Sequence, residues 1–224
     1  MQTTINRQAA SVPAGRLKRS PATKPGGVVP PTPPTLYMWP SQVQIASRPT
    51  NPLNDEVSTG DTINQMKTLS IRSIRSPMVI WACNEALRGL PSDADDKGIA
   101  EALWYWIKGK VKFVTDEQTM LNMGIPIQNP TKELLIAPST LLTMIAPQGD
   151  CDDFSMLSAA MLMCCGIRTS FVTIAADKET PRKWSHVYVK CYPKGYPPMM
   201  FDASHGDYPG WEHTQNFRKR EWII

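Results

Sequence analysis

Apolar residues in the middle of this chain recur at helical spacing, and further on they alternate as in strands. Asp61 to Arg72 predicts a helix. Ser76-Pro77 reads as the N-cap and first-turn proline of a second helix running to Leu90. Asp95 to Lys108 carries Ile99, Leu103, Trp106 and Ile107 on one stripe, with Trp104 and Tyr105 on other faces, which predicts a widely buried helix. Downstream, Phe154, Leu157, Met161, Leu162 and Cys165 step by threes and fours up to Gly166, a residue that commonly ends helices. Trp184 to Cys191 then switches to period two. His186, Tyr188 and Lys190 fall on one face of a strand, and Val187, Val189 and Cys191 on the other. After the Pro/Gly-rich turn Tyr192 to Pro198, Met199-Met200-Phe201-Asp202 predicts a strand returning antiparallel beside it. No internal repeat is present.

The first quarter of the chain shows none of this periodicity. Residues 1–54 hold 10 of the 21 prolines and six basic residues (Arg7, Arg16, Lys18, Arg19, Lys24, Arg48) without one Asp or Glu. The arm is therefore +6, and the remaining 18 basic and 20 acidic side chains leave the body at −2. Such a segment lacks the apolar surface to fold alone, and Pro30-Pro31-Thr32-Pro33-Pro34 should hold it extended. The expected organisation is an extended basic Pro-rich arm over 1–55 and one domain over 56–224. Leu36-Tyr37-Met38-Trp39 is the arm's apolar anchor, for the domain's own surface or for a partner. Six charges without interleaved aromatics predict salt-sensitive contact with polyanions, not nucleic-acid recognition. No run of eighteen apolar residues exists to span a membrane, and the N-terminus lacks a secretory apolar core, so the expected location is cytoplasmic. Five cysteines, none spaced as C-x-x-C, suit a reducing compartment.

The chemistry concentrates at Gly149-Asp150-Cys151-Asp152-Asp153-Phe154, where a cysteine stands at the threshold of an apolar helix. Helix-start N–H groups and the positive end of the helix dipole favour thiolate over thiol, and they could also receive an oxyanion. With His186 on a strand and Asp202 on the next, Cys151, His186 and Asp202 form a complete set of nucleophile, base and orienter. Gln148 and Trp184 are oxyanion and cleft candidates. Asp150, Asp152 and Asp153 surround the thiol with carboxylates that would raise its pKa if they faced it. The expectation is that Asp150 and either Asp152 or Asp153 turn to backbone N–H groups as helix caps, leaving protonated His186 as the ion-pair partner. The acidic run lacks the alternating spacing of a calcium loop and no ligand pair has finger-like spacing, so neither metal nor cofactor is expected. Cys83, Cys164, Cys165 and Cys191 read as core residues. His205 and His213 read as loop or surface histidines, with His205 at the rim of the site.

These features together resemble the transglutaminase-like domain of the papain-like cysteine enzymes. The resemblance runs from about Ile99 to Trp211. It takes in a helix ending in the short strand Val111 to Val114, then Pro138 to Leu142, Gly149 to Phe154, Cys165-Gly166-Ile167-Arg168, His186 to Val189, and Phe201-Asp202-Ala203-Ser204. It implies an α+β papain-like or transglutaminase-like core, with N-terminal helices and the nucleophile helix packed on an antiparallel sheet. The family's catalytic cysteine, histidine and aspartate would fall on Cys151, His186 and Asp202. Val187 stands where many members carry an aromatic, and Ala203-Ser204 replace a proline-containing end of the aspartate motif. The implied activity is covalent acyl transfer on a protein or peptide: an amide or isopeptide hydrolase, or a transglutaminase-type transferase. Gly-Asp-Cys-Asp-Asp with His-Val-Tyr-Val is similar to small tailed-phage and prophage members. This implies a second reading, a structural or assembly component of a virion whose arm docks on neighbours.

Overall fold

The computed structural model describes residues 55–122, 124 and 134–224. The arm, its Leu36-to-Trp39 anchor and the domain boundary near 55 lie outside or at the edge of that range. Helix α1 (Asp55–Ser73) buries Ile63, Met66, Leu69, Ser70 and Ser73, a stripe at three- and four-residue steps. Helix α2 (Pro77–Ala86) starts as expected, with the Ser76 hydroxyl accepting from Met78 N–H at 3.3 Å and Pro77 in the first turn. It stops at Ala86 instead of Leu90 because the chain turns at Leu87 to Gly89, where Gly89 takes φ +88°. Helix α3 (Asp96–Lys110) is capped by Asp95, which accepts Gly98 N–H at 2.8 Å. The expected all-round burial of α3 is only half right. Trp104 is 2% exposed while Tyr105 is 61% exposed, so one aromatic enters the core and its neighbour faces water.

A two-stranded parallel ribbon follows. β1 (Lys112–Phe113) pairs with β2 (Gln148–Gly149), and between them lie the short helices α4 (Asp116–Asn122) and α5 (Pro138–Leu141). Helix α6 (Cys151–Cys164) is the centre of the molecule, packing against α1, α2, α3 and the main sheet. Its stop is the one the sequence indicated. Gly166 takes φ +81°, Ile167 N–H bonds Leu162 carbonyl at 3.0 Å and Gly166 N–H bonds Met163 carbonyl at 3.0 Å, which satisfies the last carbonyls of the helix.

The main sheet contains β3 (Arg168–Ala175), β4 (His186–Tyr192), β5 (Met199–Phe201) and β6 (Arg218–Ile223), all antiparallel, in the order β5-β4-β3-β6. Alternation along β4 is as expected: Val187, Val189 and Cys191 enter the core beneath α6, and Tyr188 packs with Val172 and Ile174 on the far face. The register Val189↔Phe201 brings β5 back beside β4 and carries Asp202 toward the start of the histidine strand. Among the described residues no helix is long and apolar enough to cross a membrane.

Candidate active site

Cys151 is the first residue of α6 and is half-buried. Asp150 caps the helix, accepting Asp152 N–H at 3.1 Å. Gly149 is required by proximity: a Cβ there would lie 2.3 Å from Asp153 Oδ2. Asp153 is fully buried and accepts the backbone N–H of Ile136 at 2.8 Å, so it anchors the segment before α5, and it also accepts the backbone N–H of the cap residue Asp150, bracing the start of α6. Asp116 of α4 does the same for Leu134 N–H at 2.7 Å. Carboxylate oxygens of Asp116, Asp150 and Asp153 lie within 4.8 Å of one another. Burial, joined by the charge of Glu117, pushes Asp150 up to about 6, against the backbone N–H bonds it accepts. Burial and the neighbouring Asp150 and Asp116 charges push Asp153 well above the carboxylate range. The second acid expected to join Asp150 in serving backbone N–H groups is therefore Asp153 and not Asp152. Asp150 and Asp153 serve backbone N–H groups, but Asp152 Oδ1 lies 3.7 Å from Cys151 Sγ.

The hydroxyl of Ser155 donates to Val187 carbonyl at 3.1 Å, fixing the first turns of α6 to the start of β4. Cys151 sits one turn before Ser155 on the same helix face. At the start of β4, His186 is 9% exposed, and its Nε2 lies 2.7 Å from Asp202 Oδ2. The other oxygen, Asp202 Oδ1, accepts from Ser204 N–H at 3.0 Å, Ser204 hydroxyl at 2.7 Å and His205 N–H at 3.0 Å. Burial alone would raise the Asp202 carboxyl. The His186 contact, together with the His205 and Ser204 hydrogen bonds, overcomes this and holds it at about 2.

Of the two cleft candidates, Gln148 is half-buried on β2, three residues before Cys151 in the chain. Trp184 does not line the same strand as His186, because β4 begins only at His186. The Arg218 guanidinium covers the Trp184 ring, 4.3 Å from its centroid. Arg218 is the first residue of β6, which pairs with β3 on the edge away from β4.

Several contributors escaped sequence reasoning. Trp104 Nε1 of α3 donates to Asp202 carbonyl at 3.0 Å, and Gly206 N–H donates to the same oxygen at 3.1 Å. His205 does more than occupy the rim. Its ring meets His186 edge-on with centroids 4.7 Å apart, and meets Phe113 of β1 at the same distance. Only the motif order Asp-Ala-Ser-His hinted at this, since four residues of turn fold back onto one carboxylate.

The chain thus carries a cysteine at the start of a helix, a histidine at the start of a strand and an aspartate that bonds that histidine. Residues 86–203, more than half of the chain, match the family model of the transglutaminase-like superfamily. The protein belongs to that superfamily. Among solved structures, one titled "a Putative Cysteine Protease from Cytophaga hutchinsonii" is 17% identical, with a TM-score of 0.41, 63% of this chain covered and 42% of that one. Another, titled as a TGase, is 11% identical with a TM-score of 0.34, covering 75% of this chain and 37% of that one. The chain spans less than half the length of either. No curated protein matches the chain significantly.

Proposed function

We propose that this protein is a cysteine-dependent acyl-transfer enzyme in which Cys151 is the nucleophile, His186 the general base and acid, and Asp202 the orienter. The observation that carries the reading is the buried 2.7 Å contact between His186 Nε2 and a carboxylate that three further donors keep ionised. Because Nε2–H is committed to Asp202, Nδ1 is the nitrogen that takes the thiol proton. The thiolate then attacks an amide carbonyl carbon, and the former carbonyl oxygen takes the negative charge. Asp150 occupies the Asp152 N–H, so we assign the Gln148 carboxamide as a donor to that oxyanion. When the C–N bond breaks, the amine leaves with the proton from His186 Nδ1, and a thioester remains on Cys151. Water gives hydrolysis and a second amine gives an isopeptide bond. In either case Nδ1 removes the incoming proton and Cys151 leaves as thiolate.

The test is alkylation of each cysteine across pH 5–9, read by peptide mass spectrometry in wild type and His186→Ala. The other thiols provide internal references: burial pushes Cys191 up to about 12, and Cys83, buried against the sulfurs of Cys164 and Cys165, is held up as well. Cys151 should label far faster than either at pH 6–7, and this advantage should collapse in His186→Ala. Labelling of Cys151 no faster than Cys191 would sink the proposal.

A further inference from the structure

The turn after Asp202 contains a second histidine that the reaction above does not use. Ser204 has one hydroxyl proton, and it goes to Asp202 Oδ1 at 2.7 Å. The Ser204 oxygen must therefore accept from His205 Nδ1, 3.0 Å away. This makes a continuous chain from His205 Nδ1–H to Ser204 O–H to Asp202 Oδ1, while Asp202 Oδ2 receives His186. The two imidazoles also touch directly, edge to face at 4.7 Å. His205 is partly exposed, so it can take a second proton on Nε2 without breaking the chain.

We propose that His205 is a positioning residue that sets the proton affinity of His186, acting through Ser204 and Asp202 and across the ring contact, so that its own protonation throttles the site in acid. Both routes act in the same direction. A cationic His205 draws the Ser204 hydroxyl into a stronger bond with Asp202, which leaves that carboxylate a weaker partner for His186. Its charge also repels an imidazolium at ring-contact distance. The surrounding groups fit this direction. Lys108 of α3, bonded to Ser204 carbonyl at 3.1 Å, and His213 before β6 add positive charge on the His205 side. Asp202 opposes them. Behind His186 stands Tyr188, whose hydroxyl is spent on Glu212 at 2.9 Å, and in the first turn of α6 the Cys151 thiol lies against Asp152. Phe113 of β1 offers only its ring. Burial first, then the His186 charge, keep His205 below the ordinary imidazole value, so it is neutral at pH 7 and charges as the pH falls.

The inference rests on His186 as the base, and its test does not require turnover. Histidine-labelled protein is titrated by NMR in wild type, His205→Asn and His205→Lys. Asparagine keeps a donor for Ser204 and has no titrating proton; lysine carries a permanent charge. The His186 curve should be biphasic in wild type, with one inflection belonging to His205, and monophasic in His205→Asn. In His205→Lys its midpoint should fall by roughly one unit, a tenfold loss of proton affinity. In parallel, the acid limb of Cys151 alkylation should be steeper than one proton in wild type and fall to a one-proton slope in His205→Asn. A wild-type His186 curve that passes through the His205 transition without responding overturns the inference, even if the variants fold poorly. An inert Cys151 with intact NMR coupling would refute the proposed reaction and leave this coupling standing.

Discussion

Asp202→Asn separates the electrostatic role of this carboxylate from its shape. The amide oxygen can still accept from Ser204 and His205, but the charge facing His186 is gone. Holding the Asp202 carboxyl at about 2 against an ordinary 3.8 corresponds to about 2 kcal/mol of folding free energy. Because the folded value is depressed, this stabilisation is present above about pH 4 and is lost as the pH falls through about 2. Urea unfolding at pH 6 should show the variant about 2 kcal/mol less stable, a fall of roughly 4–8 °C in Tm for a chain of this size. At pH 3 the gap should shrink to about 1 kcal/mol. The variant amide also faces His186 Nε2 with an N–H, which drives the ring proton to Nδ1 and removes the acceptor for the thiol. Cys151 reactivity at pH 6–7 should then fall on the order of a thousandfold or more. Equal stability of variant and wild type at pH 6, or a gap that does not narrow toward pH 3, would refute the reasoning.

Asp150→Asn should keep the cap on Asp152, since asparagine caps helices well, while removing a buried acid raised to about 6. A raised acid stabilises the fold below about pH 4 and loses that contribution as pH rises through 6. The variant should therefore be more stable than wild type by roughly 1–3 kcal/mol at pH 7.5 and equal to it near pH 4, measured in urea. Gly149→Ala would place a Cβ 2.3 Å from Asp153 Oδ2 and break the Ile136 anchor, lowering stability by roughly 1–3 kcal/mol in thermal melts. Trp104→Phe leaves a ring in the core but removes the indole N–H from Asp202 carbonyl. A loss of roughly 1–3 kcal/mol by denaturant titration is expected, with slower Cys151 alkylation as Asp202 shifts.

Local signals in the sequence reached far into the site. Ser76-Pro77, Asp95 and Gly166 mark helix ends by their own backbone and side-chain chemistry, and each does so in the structure. The period-two alternation of β4 and its turn to β5 were also visible, because strand faces are set by pleat geometry alone. From these, the order Cys151, His186, Asp202 and the meeting of His186 with Asp202 could be read directly. Other elements lacked such a signal. β6, with Arg218, Lys219, Arg220 and Glu221 in sequence, has no apolar alternation. It is a strand because β3 supplies its ladder, and Glu56, far away in α1, pairs with Arg218 and Arg220.

The sequence by itself determined which residue types stand at the helix threshold and the strand start, since capping, periodicity and turn chemistry act over a few neighbours. Only the tertiary structure decided what surrounds them. It brought Asp116 to Asp150 and Asp153, set the Arg218 guanidinium over the Trp184 ring, and placed the Trp104 indole on the Asp202 carbonyl. It also turned His205 back onto His186. Each of these contacts joins segments that no local rule relates. They form because burying α6 between the helices and the sheet leaves polar groups that must find partners within reach.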